Sequence, residues 1–186
     1  MRQIVCALAI VLLTSFGSPA LAKRVALVVG NSAYEHAPVL AIPVNDASAV
    51  AAVLRRLDFE VIEGIDLQRL DFEAKIRQFA RAIRGADIAL FYFAGHGLQV
   101  AGKNYLAPID TRLLDEADLE FEAIGLQVIL AQMNREPRTN LVILDACRNN
   151  PLLRNLAATM GTRSASVGQG LAAVETGIGT LIAYST

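Results

Sequence analysis

Two apolar periodicities alternate along these 186 residues: short unbroken runs, and stripes spaced three or four positions apart. Arg24-Val-Ala-Leu-Val-Val-Gly30 is a β-branched run closed by Gly, which predicts a strand buried on both faces. After a loop carrying Pro38 and Pro43, Asn45 is placed to cap a helix whose Ala47, Val50, Leu54 and Leu57 share a stripe. Phe59 to Ile62, ending at Gly64, reads as a second strand. Phe72, Ile76, Phe79, Ala80 and Ile83 mark a second amphipathic helix stopped by Gly85. Asp87 to Phe93 is a third, strongly apolar strand running into Ala94-Gly-His-Gly97, and Gln99 to Asp110 suits a hairpin turning at Gly102-Lys103. Leu126, Ile129, Leu130 and Met133 form a third helical stripe, Asn140 to Leu144 a fourth buried strand, and Thr180 to Tyr184 a fifth.

Strands alternating with helices predict an α/β fold, a mostly parallel sheet flanked by helices and joined by right-handed crossovers. The chain ends within the fifth strand, so the sheet is expected to lack its C-terminal part. Residues 157–170, rich in small and polar side chains with Gly161, Gly168 and Gly170, read as a flexible linker.

The first residues fall outside that alternation. Arg2, the apolar run Ile4 to Leu13 and the ending Ser18-Pro-Ala-Leu-Ala22 have the layout of a secretory signal peptide, its apolar core short for a comfortable membrane span, with an uncleaved N-terminal anchor as the rival reading. The expected division is 1–22 leader and 23–186 catalytic domain, with an exported product, periplasmic or secreted, and no stable membrane contact after cleavage. A hydrophobic share of 54% against 19% charged residues excludes intrinsic disorder. Seventeen basic and eighteen acidic residues, a net charge of -1 without a basic stripe, argue against a nucleic-acid partner.

Loss of the leader removes Cys6 and leaves Cys147 as the single thiol, in a compartment that oxidises thiols in pairs. Such a Cys is either an inert core residue or a nucleophile. Ligands of open α/β sheets bind at the carboxyl ends of strands, and two reactive residues stand there: His96 after the third strand and Cys147 after the fourth. An imidazole beside a thiol can hold its proton, giving a thiolate that attacks a carbonyl carbon. The backbone N–H groups of Gly97 and Cys147 are the candidate oxyanion donors. Singly, each residue also fits a bland role, a packed thiol and a loop histidine. Together, with Asp145 two positions before the Cys, they point to a site. His36 lies in a polar loop and is the weaker candidate. The acidic residues Asp115, Glu116, Asp118, Glu120 and Glu122 read as a solvated surface rather than a metal site.

Other chemistries fail on spacing. A phosphatase loop needs Arg six positions after the Cys, where Leu153 stands; no Walker loop or complete dinucleotide fingerprint exists; one Cys and two His do not build structural zinc.

Five ordered motifs, Arg24 to Tyr34, Pro43-Val-Asn-Asp46, Phe91-Tyr-Phe-Ala-Gly-His-Gly97, Asn104 to Asp110 and Leu144-Asp-Ala-Cys-Arg-Asn-Asn-Pro151, resemble the bacterial caspase-like peptidases, relatives of metacaspases. The resemblance implies a three-layer caspase-like fold and a cysteine endopeptidase acting on protein or peptide substrates through an acyl-enzyme. In it His96 is general base and acid, Cys147 the nucleophile, and Gly97 and Cys147 supply the oxyanion hole. It further implies an acidic pocket for Arg or Lys, with Asp46 and Asp145 as the substrate-binding carboxylates. Where metacaspases often carry Ser in that pocket, this chain has Ala94. No metal and no cofactor are assigned; calcium activation, known in some metacaspases, is left unassigned. Self-cleavage is expected in the linker between Arg163 and Ser164. A rival from another class is a catalytically silent caspase-like module that binds or scaffolds.

Overall fold

A computed structural model describes residues 22–146, 152, 156, 167–168, 171–174 and 179–185. Its frame is a five-stranded parallel sheet in the order β2-β1-β3-β7-β9, built from β1 (Arg24–Gly30), β2 (Phe59–Ile65), β3 (Ile88–Gly95), β7 (Thr139–Ala146) and β9 (Thr180–Ser185). The apolar runs behave as a doubly covered parallel sheet requires. On one face Val25, Leu27, Val29, Phe91, Phe93, Val142 and Leu144 pack with helices α2 (Arg69–Ala82) and α4 (Leu126–Met133). Phe72 of α2 stacks on Phe93 at 6.0 Å between ring centroids. On the other face Ala26, Val28, Leu90, Tyr92 and Ala94 meet Ala47, Ala51 and Leu54 of α1 (Pro43–Arg56).

A smaller antiparallel sheet, β6-β5-β4-β8, branches from the end of β3. It comprises β4 (Gly97–Val100), β5 (Lys103–Leu106), β6 (Ile124–Gly125) and β8 (Val167–Gly168). The short helix α3 (Asp118–Glu122) precedes β6. A separate apolar cluster of Leu98, Val100, Tyr105, Leu113, Leu119, Leu152 and Leu156 lies beneath it, with Tyr34 among its members.

Three sequence expectations change. The first helix begins at Pro43, with Ile42 as N-cap, so Asn45 lies inside the first turn and caps nothing. Pro at the first helical position presets φ and lacks only an N–H that would be unpaired there. Leu57 closes that helix exposed rather than on the buried stripe. Within the expected linker, Val167 and Gly168 pair with Val100 and Gln99. Residues 1–21 of the expected leader and the Arg163–Ser164 bond lie outside the described residues, and no helix among the described residues is long and apolar enough to cross a membrane.

Candidate active site

The strand order places a topological switch between β1 and β3, where the chain leaves one strand for opposite sides of the sheet. The loops after both strands meet there. Asn31, fully buried, donates its backbone N–H to Ala94 O at 2.9 Å. Its side chain donates to Ala107 O at 3.1 Å and accepts from Leu67 N at 3.0 Å. Asp66 accepts from the Ser32 and Ala33 amides at 2.7 and 2.9 Å, which pins the following turn.

His96 leaves the end of β3 into this junction, only 2% exposed. Its N–H donates to Tyr34 Oη at 2.7 Å and its carbonyl accepts from Ala107 N at 2.9 Å. The imidazole lies against the Tyr34 ring, centroids 4.4 Å apart and tilted by 50°. Neither ring nitrogen has a hydrogen-bond partner among the described residues. Burial lowers the imidazole pKa below its ordinary value, partly offset by the Pro38 carbonyl nearby, which falls short of a formed hydrogen bond. A buried polar group without a partner costs roughly 1–3 kcal/mol, so an imidazole held this way is unusual unless a further group meets it.

The two flanking glycines are dictated by close approach. Gly95 has φ +155°, and a Cβ there would stand 2.6 Å from Tyr34 Oη and 2.9 Å from Phe93 Cζ. At Gly97 a Cβ would come 2.9 Å from the Ala146 side chain. Gly95 is also the register partner of Ala146, the last residue of β7. The ends of β3 and β7 are therefore adjacent at backbone distance. Cys147 follows Ala146 in the chain and lies outside the described residues.

Asp46 and Asp145, 99 positions apart, line one cavity of about 290 Å³ beside Gly95. Asp145 pairs in register with Ala94, and Asp46 sits in the first turn of α1. Leu40, Ile42, Pro43 and Ala94 give the same cavity apolar walls. Both carboxylates act on the buried Tyr92 phenol below: desolvation first, then the charges of Asp145 and Asp46, push its pKa up to about 12. A cavity with an apolar shaft and two carboxylates suits a long aliphatic side chain ending in a cation.

The remaining candidates lie elsewhere. His36 is exposed and its Nε2 accepts from Arg112 Nε at 2.9 Å, which occupies that nitrogen. The acidic stretch is not merely solvated. Glu122 accepts from the Arg112 and Leu113 amides, and Asp118 from those of Leu114 and Asp115, so these carboxylates shape the loop. Among the described residues no group of His, Cys, Asp and Glu is arranged to hold a metal. A larger cavity of about 360 Å³ between α2 and α4 holds Arg69, Glu73 and Arg77, already ion-paired with one another. Tyr34, Asn31 and Tyr92 escape sequence reasoning, although the first two stand within the opening motif; nothing in a tyrosine's or asparagine's spacing announces a hydrogen bond to a distant strand end.

Known proteins carry the same organisation. A family model described as the caspase domain matches residues 23–186. The mucosa-associated lymphoid tissue lymphoma translocation protein 1 of Homo sapiens is 30% identical over 131 residues, 70% of this chain and 16% of its own. Its Mus musculus homolog is 30% identical over 133 residues, 71% of this chain and again 16% of its own. This chain thus spans about a sixth of the length of those relatives. The Drosophila initiator caspase Dronc superposes with a TM-score of 0.55 at 13% identity, covering 92% of this chain and 60% of Dronc. Protein GSU0716 from Geobacter sulfurreducens gives 0.53 at 20% identity, over 67% of this chain and 50% of that one. These structural likenesses speak for the fold, and the family match for descent: the chain belongs to the caspase superfamily, a family of caspase-fold proteases.

Proposed function

We propose that the chain is a cysteine endopeptidase that cleaves after Arg or Lys through a dyad of His96 and Cys147. The observation that carries this reading is the buried imidazole whose ring nitrogens have no hydrogen-bond partner among the described residues, one residue beyond the Gly95–Ala146 register pair. Chain continuity brings Cys147 one residue beyond the other member of that pair. His96 takes the thiol proton and the thiolate adds to the scissile carbonyl carbon, the oxyanion facing the Gly97 and Cys147 amides. The tetrahedral adduct collapses as the amine leaves with the proton from His96. Water then loses a proton to His96, attacks the thioester and releases the acid, restoring the thiol.

The cavity beside Gly95 supports the preference for a basic residue before the scissile bond. Its walls take the methylenes, and Asp46 and Asp145 take the guanidinium or ammonium. On the sequence of residues 1–22, the same reading makes this an exported enzyme acting on protein or peptide substrates.

The test is hydrolysis of peptide reporters ending in Arg, Lys or Asp. Arg and Lys reporters should be cut and Asp reporters left. Cys147→Ala and His96→Ala should each cost on the order of 10⁴-fold or more in kcat, since a dyad fails as a unit. Equal hydrolysis by Cys147→Ala would refute the mechanism. No hydrolysis by wild type, with an unreactive thiol, would favour the silent binding module.

A further inference from the structure

A histidine acting as a base needs its ring held in one orientation, and the usual device is a carboxylate on the far nitrogen. Among the described residues no carboxylate bonds either nitrogen of His96. Beside the nearby Pro38 carbonyl, what lies against the face of the ring is Tyr34. We propose that Tyr34 is the positioning residue for His96, its hydroxyl fixing the backbone where β3 leaves the sheet and its aromatic face fixing the plane of the imidazole. This rests on the reading of His96 as the base.

The geometry is a closed circuit. Tyr34 Oη accepts from His96 N–H at 2.7 Å and donates to Ala107 O at 3.3 Å, while Ala107 N donates to His96 O at 2.9 Å. His96 thus has both main-chain groups satisfied outside the parallel ladder. Asn31, bonded to the same Ala107 carbonyl, ties the circuit to the end of β1. The phenol ring, 5% exposed and packed with the cluster of Leu98 and Tyr105, is itself immobilised, so its contact at 4.4 Å restricts rotation of the imidazole. Gly95 completes the argument: with a side chain there, the hydroxyl would have no room. A tyrosine serving packing alone would not need its hydroxyl at that point; a phenylalanine would fill the space and leave a buried N–H unpaired.

The two parts of the side chain separate by substitution. In the full chain, with rates divided by the amount of Cys147 labelled by an irreversible alkylating agent, Tyr34→Phe should lower kcat about 10- to 100-fold at unchanged KM. The acid limb of its pH profile should stay in place, because the ring still excludes water. Tyr34→Leu should lose activity and also move that limb upward toward pH 6.5, as water reaches the imidazole.

A second readout needs no turnover. In the Cys147→Ala chain, where the neighbouring thiol no longer titrates, the His96 ring resonances followed by NMR should titrate below the ordinary histidine range. Tyr34→Phe should keep that midpoint and Tyr34→Leu should raise it, with His36→Gln assigning the signals. Unchanged kcat per labelled Cys147 in Tyr34→Phe, or an unmoved midpoint in Tyr34→Leu, would overturn the proposal. Should Tyr34→Leu not fold, the Phe variant's kcat decides. If wild type shows no hydrolysis dependent on His96 and Cys147, the dyad reading fails, and the NMR midpoints still decide whether Tyr34 governs His96.

Discussion

Asp46 illustrates how one side chain changes meaning between sequence and structure. In sequence it is an acid in the first turn of a helix, where the dipole alone would account for it. In the folded chain it shares a cavity with Asp145, and both charges act on Tyr92. The phenol therefore holds its proton to about pH 12, while in the unfolded chain it releases it near 10. Folding stability from this group is intact below pH 10 and is lost as pH rises through that window. In Asp46→Asn the Tyr92 titration, taken as the ultraviolet difference against Tyr92→Phe, should move down toward 10 without reaching it, since desolvation is the larger cause. The same variant should lose about 10- to 100-fold in kcat/KM toward Arg reporters, the value of a charge-assisted pair. Its thiol should alkylate at the wild-type rate. A Tyr92 midpoint identical in both chains would mean the acids do not act together. His96 and Asp145 were readable as candidates because chemistry-bearing residue types stand out at strand ends. Tyr34 and Asn31 were not, because their roles exist only once β1 and β3 lie side by side.

The strands and helices were readable almost throughout, since β-branched runs and helical stripes have distinct periods. β1 spans the run expected, and Leu126, Ile129, Leu130 and Met133 are all buried on α4. Errors fell where local rules compete. Asn45 is a good cap by type, yet Pro43 two residues earlier starts the helix. Val167–Gly168 forms a strand of two residues, too short for any period, placed by its pairing with β4. The segment Ala94 to Gly97 shows how tightly an element end can be specified. Gly95→Ala would require a Cβ in contact with Tyr34 Oη at an unfavourable φ, so we expect a destabilisation of about 1–3 kcal/mol. Hydrolysis should be lost beyond what the unfolded fraction explains. Gly125→Ala meets only Tyr105 Cε1 at 4.0 Å and should change stability by less than about 0.5 kcal/mol. Thermal melts and rates on the two variants check both statements. Equal behaviour would mean the β3 end tolerates a side chain.

The molecule as a whole joins a parallel sheet to loops that gather at the ends of its strands, and the chemistry proposed for it depends on that gathering. β3 and β7 pair in register over eight positions from Ile88–Thr139 to Gly95–Ala146, so both strands end at the same edge of the sheet. Family membership supports a protease fold, but membership alone does not make a thiol reactive. In the dyad proposed above, the imidazole of His96 would do so by stabilising the thiolate. The pH dependence of Cys147 alkylation by iodoacetamide, in wild type and in His96→Ala, reads that coupling without any choice of substrate. Wild type should alkylate rapidly well below pH 8, with an inflection that disappears in His96→Ala, whose rate should rise only near the ordinary thiol pKa of about 8.5. Identical profiles in the two chains, or a thiol inert in both, would contradict the dyad.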